Sequence, residues 1–173
     1  MQDAGVTQHS PALFTSVKQS WCTPASVWQR VLKIAPIGLD PCTNRESEVP
    51  ARVYFMEQDD AFTQYWGGMG LVYCNPPYEK RFKYAWLEKG VEADEIVYLL
   101  PSRTDTKWFQ DLHKFDLTVC CFVKGRLRFS GAKDLAPFPS VLLYGGSRPE
   151  RFAEVFSDFG RVCWLDQVHE RRL

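Results

Sequence analysis

The sequence has no CxxC pair, and none of its three histidines, His9, His113 and His169, lies near a cysteine at zinc-ligand spacing. That excludes the common structural zinc motifs. The six cysteines, Cys22, Cys42, Cys74, Cys120, Cys121 and Cys163, read as reduced thiols that fill a core. Net charge is also lacking, because 21 lysines and arginines balance 21 aspartates and glutamates. Any nucleic-acid partner has to be held by local basic patches rather than by a basic whole. No run approaches the roughly 20 apolar residues of a membrane span. The first twenty residues, "MQDAGVTQHSPALFTSVKQS", have neither the basic start nor the apolar stretch of a secretory signal. The expectation is a soluble intracellular protein with no membrane partner and no metal. Internal repeats and low-complexity tracts are missing too.

What the chain does have is material for a core. Its 173 residues are 45% hydrophobic and 14% aromatic, which suits one domain and leaves no room for two catalytic ones. Residues 1–19 are polar and lack a sustained apolar period, so they read as a flexible N-terminal arm, with residues 20–173 as a single domain. In "TPASVWQRVLKIA" the spacing predicts a helix, with Thr23 at the N-cap, Pro24 at the first helical position, and Val27, Val31, Leu32 and Ile34 on the buried face. Short apolar runs follow: "IGLDP", "RVYFM", "GLVYCNPP", "EIVYLLPSR", "LTVCCFV", "SVLLYGG" and "RVCWLD". Several read as strands, and "KRFKYAWLEKGVEA", "TKWFQDLHKF" and "RPERFAEVFSDFG" read as helices among them. This alternation predicts an α/β fold with a mainly parallel sheet. "LTVCCFVKGRLRFS" and "PSVLLYG" have no helix between them, which predicts an antiparallel hairpin at one edge.

In parallel sheets ligands bind outside the carboxyl ends of the strands. Those ends carry the unusual residues here: Asp40-Pro41 after "IGL", Asn75-Pro76-Pro77-Tyr78 after "LVYC", and Pro101-Ser102-Arg103 after "IVYLL". An amino group on an aromatic base is a poor nucleophile because its lone pair is delocalised into the ring. Acceptors on its two N–H bonds help to localise that pair. Asn75 can offer its side-chain carbonyl and Pro76 its backbone carbonyl. The prolines stiffen the turn, and the Tyr78 ring can stack on the base. As a bare tetrapeptide, NPPY is equally a loop signal after a strand; its place at a central strand end favours the chemical reading.

The ordered set "WCTP", "GLDPCT", "DDAFTQYW", "VYCNPPY", "LLPSRTDTKWF", "GRLRF" and "PFPSVLL" resembles the phage-type DNA N-6-adenine methyltransferase (Dam) family over residues 20–145. The resemblance implies a Rossmann-like fold that uses S-adenosylmethionine as cofactor and methylates DNA in a phage or prophage setting, where self-methylation evades restriction. It implies that Asn75, Pro76, Pro77 and Tyr78 hold a flipped adenine. It places Asp40 and Pro41 at the cofactor, with Trp21, Thr23 and Pro24 near the methionine end. Asp60 falls where relatives carry an acidic residue near the cofactor adenine or the target amine, with Asp59 as its rival. The "DPCT" loop lacks the glycines common in larger methyltransferases, a departure from the wider pattern.

Plainer readings stand beside these. Asp40 before a proline is also a turn former, Thr23-Pro24 also a helix cap, and Asp59 and Asp60 also a solvated loop. Arg103 suits a phosphate or an ion pair with Asp105. Lys124, Arg126 and Arg128 in "KGRLRFS" suit a solvated edge strand or a DNA-facing ribbon. Lys80 and Arg81 are further candidates for DNA contact. Asp40 and Asn75 are 35 positions apart (75 − 40), too few for two helix crossovers of about 10–12 residues each with their strands. The sheet is therefore expected to be trimmed there. No block remains for a separate target-recognition domain, so residues 41–52, 79–84 and 124–138 are the candidate DNA loops. Cys42 in "DPC" resembles the nucleophile dipeptide of cytosine-C5 methyltransferases, but it follows the cofactor strand rather than the catalytic one. Two rival readings are another planar amine as substrate (cytosine N4, an RNA base or a protein glutamine) and a binding module that has lost activity.

Overall fold

The computed structural model of the protein describes residues 21–78 and 83–165. The N-terminal arm, Lys80 and Arg81 lie outside the described residues. Each of the seven apolar runs contains a strand: β1 (Ile37–Asp40), β2 (Val53–Tyr54), β3 (Leu71–Cys74), β4 (Glu95–Pro101), β5 (Val119–Val123), β6 (Ser140–Gly145) and β7 (Gly160–Trp164). They form one sheet in the order β2-β1-β3-β4-β6-β5-β7. β2, β1, β3 and β4 pair in parallel. β6 runs antiparallel to both β4 and β5, so β5 keeps the direction of the parallel half. β7 adds an antiparallel strand outside the β5/β6 hairpin. The hairpin is thus one strand short of the edge.

Four helices complete the α/β fold: α1 (Ala25–Val31), α2 (Lys83–Gly90), α3 (Lys107–Gln110) and α4 (Pro149–Phe156). Because side chains alternate along a strand, the sheet builds two cores. On one face Tyr73, Val97, Leu99, Leu142 and Tyr144 share a core with Val27, Val31, Phe152 and Phe156 of α1 and α4. On the other, Val72, Cys74, Tyr98 and Leu100 share a core with Trp86 and Leu87 of α2 and Trp108 of α3. β1, β3, β4 and β6 are buried along their whole length, as strands covered on both faces must be. Among the described residues, no helix is long and apolar enough to cross a membrane.

Two local expectations need correction. Pro24, not Thr23, occupies the N-cap of α1, and no side chain caps that helix; the Thr23 hydroxyl is engaged elsewhere, as described below. The segment "TKWFQDLHKF" is not one helix. It breaks at Asp111 into α3 and a 3₁₀ turn, Leu112–Lys114. The Asp111 carboxylate there binds Lys107, Lys114 and the Tyr84 hydroxyl, while Trp108 and Leu112 remain buried on one side.

Between β1 and β3 lie only the two residues of β2 and a single 3₁₀ turn, Glu57–Asp59, so the sheet is trimmed there. The chain steps from β1 to β2 on one side and returns to β3 on the other, which makes β1/β3 a topological switch point with a crevice at its carboxyl end. Gly38 sets how closely the two sides meet. The β1/β3 register shifts around it, and a Cβ added there would lie 1.7 Å from the backbone oxygen of Met69. Backbone cannot yield as a flexible side chain can. Gly38→Ala is therefore expected to destabilise the fold by about 2–4 kcal/mol, at or slightly above the usual overpacking range. Denaturant melting of the variant checks this, and a change below about 1 kcal/mol would show that β1 and β3 separate readily.

Candidate active site

The crevice is flanked by Asp40 at the end of β1 and Asn75 just past the end of β3. Period two places Asn75 on the same side of its strand as Tyr73, facing the segment that leads into α1. The Asn75 amide nitrogen donates to the backbone oxygen of Trp21 at 2.7 Å and to Thr23 Oγ1 at 3.1 Å. Thr23 Oγ1 also lies 3.0 Å from the Tyr73 hydroxyl in a buried contact. Both N–H bonds of the amide are engaged, so the orientation of the carboxamide is fixed and its oxygen points the other way. That oxygen accepts a hydrogen bond of 2.6 Å from the Tyr78 hydroxyl, which leaves one of its two lone pairs. The Tyr78 backbone oxygen in turn accepts from Nζ of Lys83 at 2.7 Å. The Lys83 ammonium reaches it from the first turn of α2, and the side chain is buried.

The segment carrying Trp21 and Thr23 is held by "GRLRFS". Ser130 bridges Cys22 in antiparallel fashion, its N–H donating to the Cys22 oxygen at 2.9 Å, and its hydroxyl reaches the Thr23 oxygen at 3.3 Å. Residues 126–129 belong to no strand. They alternate, with Leu127 and Phe129 buried and Arg126 and Arg128 exposed. Phe129 and Phe138 close an aromatic cluster around the site. Trp21 lies 4.9 Å from Phe129 and 5.6 Å from Phe138, and Tyr78 meets Phe138 edge-on at 5.4 Å. Near Phe138, at the start of β6, the buried Ser140 hydroxyl has no hydrogen-bond partner among the described residues.

Asp40 is 4% exposed. Burial pushes its carboxyl up to about 6, despite the Cys42 N–H at 3.1 Å and a hydrogen bond with the Thr43 side chain. Among the described residues it has no ion-pair partner. The "DPCT" loop is pinned on two sides: the Phe55 N–H bonds the Asp40 oxygen and the Thr43 N–H bonds the Phe55 oxygen, while the Cys22 thiol meets Asn44 Oδ1 at 3.4 Å. Pro24, Pro41 and Pro76 are buried and Pro77 is exposed. Cys42 Sγ stands 3.5 Å from Cys74 Sγ, and burial pushes both thiols up, Cys42 well up. A thiol so disfavoured as thiolate is not an activated nucleophile. All six cysteines are free.

Trp21, Thr23, Asn75 and Tyr78 come together directly, and Asp40 joins them through the Cys42–Cys74 contact beneath the crevice. Asp59 and Asp60 lie beyond β2, exposed, with no hydrogen bond to Asn75 or to the Asp40 side chain among the described residues. Asp59 Oδ2 accepts from the Met56 N–H at 2.7 Å and so closes the 3₁₀ turn. The Asp60 carboxylate accepts only a long 3.3 Å bond from Phe62, at a backbone φ of +44°. Arg103 is exposed and forms no ion pair with Asp105, and Lys124, Arg126 and Arg128 are likewise exposed without ion pairs among the described residues. No group of three or more His, Cys, Asp or Glu side chains suited to a metal occurs among them. Sequence reasoning gave no role to Tyr73, and it included Lys83, Phe129 and Phe138 only as members of the candidate DNA loops 79–84 and 124–138. Strand parity pointed to Tyr73, and the two phenylalanines lie within motifs already singled out; nothing pointed to the bond from Lys83 to Tyr78.

The family model described as DNA N-6-adenine-methyltransferase (Dam) matches residues 11–138, most of the chain. No curated protein matches. Among solved structures, a candidate RNA methyltransferase from Pyrococcus horikoshii is similar with a TM-score of 0.37 and 18% identity, over 53% of this chain and 48% of that one. The present chain thus spans about half the length of that structure. With a strand-end NPPY at a topological switch point and the family model covering most of the residues that build it, the chain belongs to the DNA N-6-adenine-methyltransferase (Dam) family.

Proposed function

We propose that the protein transfers a methyl group from S-adenosylmethionine to the N6 amino group of an adenine flipped out of DNA. The observation that carries this reading is the fixed Asn75 carboxamide: its nitrogen is held by Trp21 and Thr23, and its oxygen, which accepts from the Tyr78 hydroxyl, keeps one lone pair. That oxygen would accept one N–H of the adenine amino group, and the Pro76 backbone oxygen the other. Two acceptors so placed localise the lone pair and stabilise the charge that develops on nitrogen. The Tyr78 ring, braced by Phe138 and Phe129, offers the base a stacking surface. Extruding the base brings its amino group within reach, as enzymes acting on paired bases require.

S-adenosylmethionine, when bound, supplies an electrophilic methyl group on a sulfonium centre. The chain's own residues fit it on one count in particular. Asp40 is a buried carboxyl without a cationic partner among the described residues, and it stands at the switch-point crevice. A ligand with an ammonium group and ribose hydroxyls provides the cation and the further donors it lacks. Asp40 and Pro41 would hold the cofactor on one side, and Trp21, Thr23 and Pro24 on the other. Of the acidic pair beyond β2, Asp60 has the less engaged carboxylate and is the better candidate.

A labelled-methyl assay across DNA, RNA and protein, with nucleoside analysis of the product, tests the reading; N6-methyladenine in DNA is expected, and N4-methylcytosine or labelled protein would replace it. Asn75→Ala is expected to lower turnover by about 10²–10³, the usual scale for one preorganised partner, with cofactor affinity nearly intact. Tyr78→Ala is expected to lose about 1–3 kcal/mol of base capture, and Tyr78→Phe, which keeps the ring, much less. If Asn75→Ala folds and methylates at the parental rate, the acceptor role is wrong.

The Asp40 carboxyl gives a pH signature. Its folded value of about 6 lies above its ordinary 3.8. Between those values the folded state holds a proton that the unfolded state has released, so stability is lost as pH rises through this window. Asp40→Asn cannot ionise and keeps an oxygen for the Cys42 N–H. It is expected to gain about 1–3 kcal/mol at pH 8, to flatten the stability profile between pH 4 and 6, and to bind S-adenosylmethionine more weakly. Titration calorimetry and melts across pH measure both, and unchanged affinity in the folded variant removes Asp40 from the site.

A further inference from the structure

Beside NPPY, on the face of the sheet covered by α2 and α3, a cavity of about 520 Å³ is lined by Lys83, Tyr84, Arg103, Thr106, Lys107 and Trp108. We propose that this cleft seats the nucleotide flanking the flipped adenine on the same DNA strand, with Arg103 on its phosphate and the Tyr84 ring against its base or sugar. The proposal rests on the reading of the protein as a DNA adenine methyltransferase.

Position is the first argument. Arg103 lies two residues past β4, the neighbour of the strand that ends in Asn75. Lys83 belongs to both places, because it lines the cleft and its Nζ donates to the Tyr78 oxygen. A strand whose target base enters the crevice must run its adjoining backbone past this opening.

Charge is the second. Lys107 is paired with Asp111, which also binds Lys114 at 3.2 Å and accepts from the Tyr84 hydroxyl at 3.2 Å. Lys107 Nζ lies 5.3 Å from the centre of the Tyr84 ring. That carboxylate fixes the wall of the cleft and neutralises part of it. Arg103 has no such partner among the described residues, with only its backbone bonded, to Pro101 and Thr106. A planar guanidinium without a counter-ion beside an aromatic ring suits a phosphodiester with an attached base. The volume falls within the ~300–1,000 Å³ of ordinary ligand sites.

The test uses the full chain and DNA that the methyl-transfer assay shows to be a substrate, with single neutral methylphosphonate linkages scanned across the phosphates on either side of the adenine. Binding is read by fluorescence anisotropy and methylation by kcat and KM. One linkage position is expected to weaken wild-type binding about tenfold. Arg103→Ala, at an exposed position, is expected to weaken unmodified DNA by a similar factor and to become insensitive at that position alone, while its log K against log salt slope falls by about one. Arg103→Lys is expected to recover the salt slope but only part of the affinity. Arg103 variants that bind and methylate like wild type, or that stay sensitive at every linkage, overturn this proposal alone. Failure of the wild-type protein to methylate any DNA overturns it together with the reading on which it rests.

Discussion

Everything at the site depends on the two hydrogen bonds that the Asn75 amide nitrogen donates to Trp21 and Thr23. They join the end of β3 to the segment leading into α1, two parts of the chain more than fifty positions apart. If they were absent, the carboxamide could rotate and present donor and acceptor with equal ease; with them, only the oxygen is left for a ligand. The Tyr73 hydroxyl backs this arrangement from within the core, and Ser130 holds the same segment from outside through its bridge to Cys22. A single side-chain orientation is thus set by a strand, a helix lead-in and an irregular loop acting together. Such support keeps reacting groups within a fraction of an ångström, which is where most of the benefit of preorganisation comes from.

The other flank of the crevice is built on a cost. A carboxyl buried without a countercharge disfavours the folded state at neutral pH, and Asp40 is one. Its neighbours make the surroundings more apolar: Cys42 and Cys74 meet thiol to thiol beneath it and stay protonated. In a purely structural turn, asparagine would serve the Cys42 N–H equally well without that penalty. Buried groups with displaced pKa values gather at functional sites for this reason. The close approach of β1 at Gly38 to the Met69–Gly70 backbone that leads into β3 is the complementary device, because it leaves no room for a side chain between the two.

The fold was largely legible because strand and helix signals are local. Every one of the seven apolar runs contains a strand, and the count of residues between Asp40 and Asn75 alone required a trimmed sheet. β7 extended the antiparallel part because pairing with β5 depends on a partner some forty residues away, which no local pattern encodes. At the site, residue types were legible and their commitments were not. Thr23 before Pro24 has the form of a helix cap, yet its hydroxyl is drawn to Asn75 and Tyr73 by tertiary packing. Asp59 and Asp60 are adjacent and chemically identical, and only the backbone of the 3₁₀ turn separates the one that caps from the one that does not. Lys83 fell within the 79–84 loop expected to meet DNA, but its bond to Tyr78 was not legible because a lysine in a helix reads as solvated until the structure buries it.

Charge distribution explains how a chain with zero net charge can handle a polyanion. Arg126 and Arg128 face outward from a segment whose alternate residues, Leu127 and Phe129, enter the core shared with α1 and α4. Arg103 opens onto the cleft walled by α2 and α3, over the opposite core. The two cationic banks therefore lie over opposite faces of the sheet, with the Asn75 crevice at the strand ends between them. Acidic residues are placed otherwise: Glu95 is locked with Arg148 and Tyr144 at the amino end of β4, and Asp158 with Arg30 against α1. Placing these two acids elsewhere leaves Arg103, Arg126 and Arg128 without an ion-pair partner among the described residues, and at ordinary ionic strength such charges act only over about 8–10 Å. Under the proposed reading, net charge is the wrong measure of nucleic-acid affinity for so small a chain; what matters is which arginines lack a carboxylate within reach.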